Sequence, residues 1–173
     1  MFAALLIVPV IAQDGETGSR EPQNGFRDLR LGMTMEAAKQ TLREDPNFAY
    51  RGDPDVSFLP ASGLPIIETA GVAFIERAIL QFTNDRLYIL TLVLSPERLD
   101  YFSVYSALTE RYGEPSRLDP GQAVWESDAV TLSIERPLTV RYVDSAVFQQ
   151  MVEDGAMGAS LEALTREGFL EQL

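Results

Sequence analysis

The clearest pattern along the chain is a pair of β-rich apolar runs. Val72 to Phe82 and Arg86 to Leu94 are separated by Thr83-Asn84-Asp85, which predicts a tight hairpin. In the second run Tyr88, Leu90, Leu92 and Leu94 fall on one face, and Leu87, Ile89 and Val93 on the other. A strand apolar on both faces is expected to be central and covered on each side. Upstream, Phe26 to Gly32 alternates as a short strand. Thr34 is a suitable N-cap, and Met35, Ala38 and Leu42 mark one helical face that stops at Asp45-Pro46. Phe48 to Arg51 reads as another short strand. From Gly52 to Gly71, Pro54, Pro60, Pro65 and Gly63 interrupt any period, and a long loop is expected.

The second half repeats this order. Ser95-Pro96-Glu97 has the form of a helix start. Leu99, Phe102, Tyr105, Leu108 and Tyr112 form its stripe, and Gly113 with Pro115 ends it. Val124 to Glu126 and Ala129 to Ile134 flank Ser127-Asp128 as a second hairpin. Leu138 to Val143 alternates as a strand. Asp144 or Ser145 opens a further helix with Val147, Phe148, Met151 and Val152 on its apolar side. Gly155 to Gly158 reads as a hinge before a last helix capped by Ser160. Strands joined by tight hairpins require an antiparallel sheet, so the expected class is α+β. Helices pack on the sheet in two helix-then-strands units, compatible with a diverged duplication, and C-terminal helices follow.

The ends of the chain divide it further. Residues 2–12 are uncharged and apolar, shorter than the roughly 20 residues that span a bilayer but fitting a signal-peptide core. Val10 and Ala12 supply small residues for cleavage before Gln13. The competing reading is a buried N-terminal strand or helix. The expected organisation is a signal peptide over 1–12, a polar tether over 13–24, an α+β domain over 25–152 and a helical extension over 153–173. That places the mature protein in the periplasm or outside the cell.

Composition narrows the chemistry. The 173 residues contain 26 acidic and 14 basic side chains, a net charge of −12, with no His and no Cys. Absent cysteine removes disulfides, thiolate nucleophiles, cysteine metal sites and a lipid-modified cysteine, so no direct membrane anchor is expected in the mature chain. Absent histidine removes the commonest general base and most zinc sites. The acidic surplus opposes nucleic acid.

Leu29-Arg30-Leu31-Gly32-Met33-Thr34, with Glu36 and Leu42 before Asp45-Pro46, resembles the opening of the SmpA/OmlA-type family, small lipoproteins of outer-membrane barrel assembly. Leu108 to Pro115 followed by Trp125 is similar to a motif of the same kind of unit. The β-lactamase-inhibitor-protein fold shares that helix-plus-antiparallel-strand unit. This chain departs from the family in lacking the lipid-modified cysteine and in carrying Glu44 where glycine is usual. The resemblance implies a fold and an envelope location, and a role in envelope or outer-membrane assembly.

Candidate chemistry is sparse. Lys39, the one lysine, lies beside a helical stripe and reads as a solvated side chain. Asp53-Pro54-Asp55 lacks the glycine and distal glutamate of an EF-hand loop. Arg51-Gly52-Asp53 spells an adhesion tripeptide by chance composition. Glu68, Glu76 and Glu135 sit beside strands and have the chemistry of an acid–base pair, against the plainer reading of solvent-face charge. No cofactor is implied. The expected function is therefore a non-enzymatic periplasmic protein-binding module of the cell envelope. The alternatives are a carboxylate-dependent hydrolase with a loop-covered pocket or a structural part of an envelope complex. Partner-contact candidates are Phe58, Leu59, Leu64 and Ile66 in the apolar 52–71 segment, with Tyr101 and Trp125, whose positions fit the core stripes least well.

Overall fold

A computed structural model describes residues 21–60 and 62–153. The expected signal peptide, most of the expected tether and the helix expected after Ser160 lie outside the described residues. The chain begins with a small hairpin, β1 (Gly25–Phe26) and β2 (Leu29–Arg30), where a single strand was expected. Helix α1 (Met35–Glu44) follows, and Thr34 Oγ1 accepts the Ala37 amide at 3.2 Å as its N-cap. Strands β3 (Val56–Phe58), β4 (Pro65–Ala70), β5 (Ile75–Thr83) and β6 (Arg86–Leu94) then form a meander. Helix α2 (Tyr101–Tyr112) leads to β7 (Arg117–Leu118), β8 (Gln122–Glu126), β9 (Val130–Glu135) and β10 (Thr139–Asp144). Helix α3 (Ser145–Glu153) comes next.

All eight strands β3 to β10 join one antiparallel sheet in the order β3-β4-β5-β6-β10-β9-β8-β7. The expected α+β class is therefore the observed one. Each half is a helix followed by four strands, and the last strand of each half, β6 and β10, pairs with the other at the centre.

The expected long loop over 52–71 is wrong. It holds a short 3-10 turn (Asp53–Asp55) and the β3–β4 hairpin, and Ile67 is fully buried. Proline misled because Pro65 opens β4 at the sheet's periphery, a position where a strand tolerates it. Phe48 to Arg51 forms only an isolated bridge, Phe48 to Gly71. Helix α2 starts five residues later than Ser95-Pro96-Glu97 suggests. Ser95 closes a turn onto Arg98 and Leu99, and Asp100 caps the helix by accepting the Ser103 amide at 2.9 Å.

One face of the sheet packs against α1, α2 and the β1–β2 hairpin. Leu80, Phe82, Leu90, Leu92, Leu132 and Ile134 from the strands meet Leu29, Ala38, Leu42 and Tyr112 there. On the opposite face α3 lays Val147, Phe148 and Met151 over Tyr88 and Ile89. The placement of Tyr88 differs from simple alternation. Phe82 pairs with Leu87 and Gln81 with Ile89, so Tyr88 is an extra residue on β6. That bulge sends Leu87 to the α1–α2 side and Tyr88 to the α3 side.

The Gly32-Met33-Thr34 junction clips α1 to the start of β6. Gly32 N donates to Leu87 O at 2.7 Å and Leu87 N to Met33 O at 2.9 Å. Arg86 donates to Gly32 O at 2.9 Å, and Asp85 at the hairpin tip accepts the Met35 amide at 3.2 Å. Asn84 and Asp85 both adopt positive φ, as a two-residue turn between paired Thr83 and Arg86 requires. Gly32 itself sits at φ +83, where a side chain is strained although nothing crowds it. Gly32→Ala is expected to cost about 1–2 kcal/mol from this backbone strain alone. Leu90→Ala, which empties a fully buried site, should cost about 2–5 kcal/mol. Urea titrations of the two variants test both values, and a cost below about 1 kcal/mol for Leu90→Ala would contradict the packing described.

Candidate functional site

Of the six expected contact residues, only Phe58 is prominently exposed, at 66%. Leu59 and Ile66 are buried, and Leu64 packs against the Tyr88–Ile89 cluster. Trp125 is 2% exposed, and its Nε1 donates to Gly113 O at 2.8 Å. It ties the strand after α2 to the end of that helix, so its role as a surface contact is corrected to a packing one. Tyr101 is half-buried, with its hydroxyl 3.4 Å from Ile134 O and the Arg136 guanidinium 4.4 Å from its ring centre. These six do not assemble into one surface: their positions span both ends of the sheet and α2.

The buried carboxylates are structural. Asp45 accepts from Arg27 Nε at 2.9 Å and from the Asn47 amide at 2.9 Å. Burial alone pushes its carboxyl up, but the Asn47 hydrogen bonds and the Arg27 charge overcome this and hold it below the usual range. Asp55 behaves alike: burial is overcome by the Arg51 amide and guanidinium, with help from the Thr69 hydroxyl. The Asp53-Pro54-Asp55 segment thus closes on Arg51, and no group of three or more metal-ligating side chains occurs among the described residues. Glu68 pairs with Arg77 at 2.9 Å and Glu135 with Arg141 at 3.1 Å. Their strands β4 and β9 are four positions apart in the sheet, about 19 Å at ~4.8 Å per spacing, so they form no acid–base pair.

The broadest feature is the face of the sheet that carries α3. Residues directly opposite in register share a face, and the pairing builds a ladder across seven strands: Glu68, Ile79, Thr91, Arg141, Ser133, Val124 and Arg117. A neighbouring row runs Arg77, Val93, Thr139, Glu135 and Gln122. The apolar contacts of α3 reach Tyr88, Ile89, Val143 and Leu64, at one end of this face. The described helices leave these two rows without a helix layer, although Thr91, Ser133 and Val124 within the ladder are buried, at 6%, 7% and 1% exposure. Ion pairs tile them instead: Arg77–Glu68, Arg141–Glu135 and Arg117–Glu126, the last at 3.6 Å. Ser133 donates to Glu135 at 2.9 Å beneath the Arg141 pair.

Clefts indent the surface among the described residues. One of about 360 Å³ lies among Arg51, Asp55, Glu68 and Arg77, whose charges are already paired. A second, of about 320 Å³, lies between Leu64, the β5–β6 hairpin and α3. The third, about 460 Å³, lies on the helix side between the β1–β2 hairpin, the end of α2 and β10. Arg30, Arg111 and Tyr142 meet there. They are far apart in sequence and show no local motif, so only the sheet's register brings them together.

The two depressed aspartates predict acid sensitivity. A carboxylate whose folded pKa lies below its unfolded value stabilises the fold above roughly pH 4, and that stabilisation is lost as pH falls through the folded value. The urea midpoint should therefore fall between pH 6 and pH 3. The double variant Asp45→Asn/Asp55→Asn should show a smaller fall, and an equal one would contradict the assignment.

No curated protein and no solved structure matches this chain. The family model of the TP0088 domain matches residues 24–154, from the residue before β1 to the one after α3. That span is more than half of the 173 residues and contains the whole described sheet, both capped helices and the α3 contact. The chain belongs to the TP0088 domain family.

Proposed function

We propose that this protein is a non-enzymatic, periplasmic protein-binding module of the cell envelope, and that the open rows of the sheet form its contact face. The observation that carries this reading is the two-row ladder without a helix layer, from Glu68 to Arg117 and from Arg77 to Gln122. Its mixture of the part-exposed Ile79 and Val93 with three self-neutralised ion pairs has the make-up of a separable protein–protein interface. Charged groups tiling the face suit a hydrated protein surface rather than acyl chains. Both buried aspartates are held ionised by arginine and amide donors, which leaves neither as a proton donor and favours binding over acid–base hydrolysis. The apolar residues 2–12 and the Gly32-Met33-Thr34 resemblance support an envelope location and an assembly-related role.

The test is native affinity capture from an envelope extract, with partners identified, using the wild type and two surface variants. Val93→Arg alters the open face, whereas Phe102→Arg alters an exposed position on α2, 72% accessible, on the other side. Expected is a partner retained by Phe102→Arg and lost, by tenfold or more, with Val93→Arg, while circular dichroism shows both folded. Equal capture by the two variants would contradict the face assignment. No partner together with turnover of an ester or glycoside substrate would contradict the function.

A further inference from the structure

The third cleft lies on the helix side of the sheet, opposite the open rows, and its lining is rich in donors. Arg27, Arg30 and Arg111 stand around it, with Tyr142 in its wall. Arg27 is engaged by Asp45 at 2.9 Å. Arg30 and Arg111 have no carboxylate within ion-pair distance among the described residues, although the chain carries 26 acidic side chains against 14 basic ones. Arg111 is exposed, and its guanidinium lies over the Tyr112 ring, 5.6 Å from its centre. Tyr142 is 5% exposed and lines the cleft. Burial foremost, with Tyr112 adding, pushes the Tyr142 hydroxyl up to about 12 against the lowering charges of Arg111 and Arg30. At neutral pH it is therefore an O–H donor.

Two guanidinia without counter-charges and one buried donor call for a ligand that only accepts. Planar guanidinium forks match the paired oxygens of carboxylate and phosphate. The volume of about 460 Å³ falls in the range of small-molecule sites. We infer that this cleft binds the carboxylate or phosphate group of a small anionic ligand, gripped by Arg30 and Arg111 with the Tyr142 hydroxyl donating from the wall. Asp28, also in the lining, opposes an anion and sets a limit on the affinity.

The experiment titrates the full chain at low ionic strength with inorganic phosphate and, separately, with succinate, following the arginine Nε–H and backbone amide resonances. Sodium chloride at matched ionic strength is the control. Saturable shifts with at least one oxyanion and none with chloride are expected, and the tighter of the two identifies the ligand's anionic group. Arg30→Gln and Arg111→Gln should each weaken binding about tenfold. Tyr142→Phe, which keeps the ring, should weaken it several-fold, and Asp28→Asn should tighten it. Dispersed amide spectra establish that each variant is folded. No saturation by either oxyanion, or unchanged affinity in both arginine variants, would overturn the inference.

Discussion

Strand β6 is the constraint on which the rest of the structure depends. It is paired along both edges, to β5 and β10, and it is packed on both faces. Few segments of a chain this size satisfy all four demands together, and doing so requires an almost continuous apolar sequence. The bulge at Tyr88 lets one strand serve two cores. Leu87, Leu90 and Leu92 supply the larger core under α1 and α2, while Tyr88 and Ile89 supply the smaller one under α3. The same strand receives the Gly32–Met33 clip, which sets where α1 begins. Since β6 and β10 are the only contact between the two four-strand halves within the sheet order, their pairing makes one sheet of two meanders.

This arrangement makes the two faces unlike. The helix-covered face is a continuous apolar core, and on that side the surface is broken by the arginine–tyrosine cleft. The other face is tiled with ion pairs that add little stability individually, about 0–1 kcal/mol at exposed sites. Their value lies in keeping a half-covered sheet hydrated and resistant to edge-to-edge association. The short outermost strands β3 and β7, of three and two residues, serve the same end.

Much of the fold was legible from residue pattern. The bounds of strand β6, though not the bulge that exchanges the faces of Leu87 and Tyr88, could be read to the residue because its apolar run and its Asn84-Asp85 turn both act locally. Helix α1 was legible for the same reason, through Thr34 and the Met35, Ala38 and Leu42 stripe. Strands β3 and β4 were not, because β4 is buried by pairing with β5, β3 is only an edge strand on β4, and the prolines around them signal a loop. The open face was hidden too. Which side of each strand lacks a covering helix depends on where α1, α2 and α3 dock, and the spacing of apolar residues does not encode that. Trp125 shows the limit from the other direction. Large aromatics suit interfaces and cores alike, and only its burial in the fold, with Nε1 donating to the Gly113 carbonyl, assigns it to the core.

The account's central claim is that the uncovered rows of the sheet meet a partner while the helix layer does not. A photoreactive amino acid placed at Thr139, in the middle of the open face, and at Ala37, exposed on α1, tests this directly in an intact envelope preparation. The account predicts a discrete protein adduct from position 139 and none from position 37. Adducts of equal yield at both positions, or an adduct from position 37 alone, would contradict it.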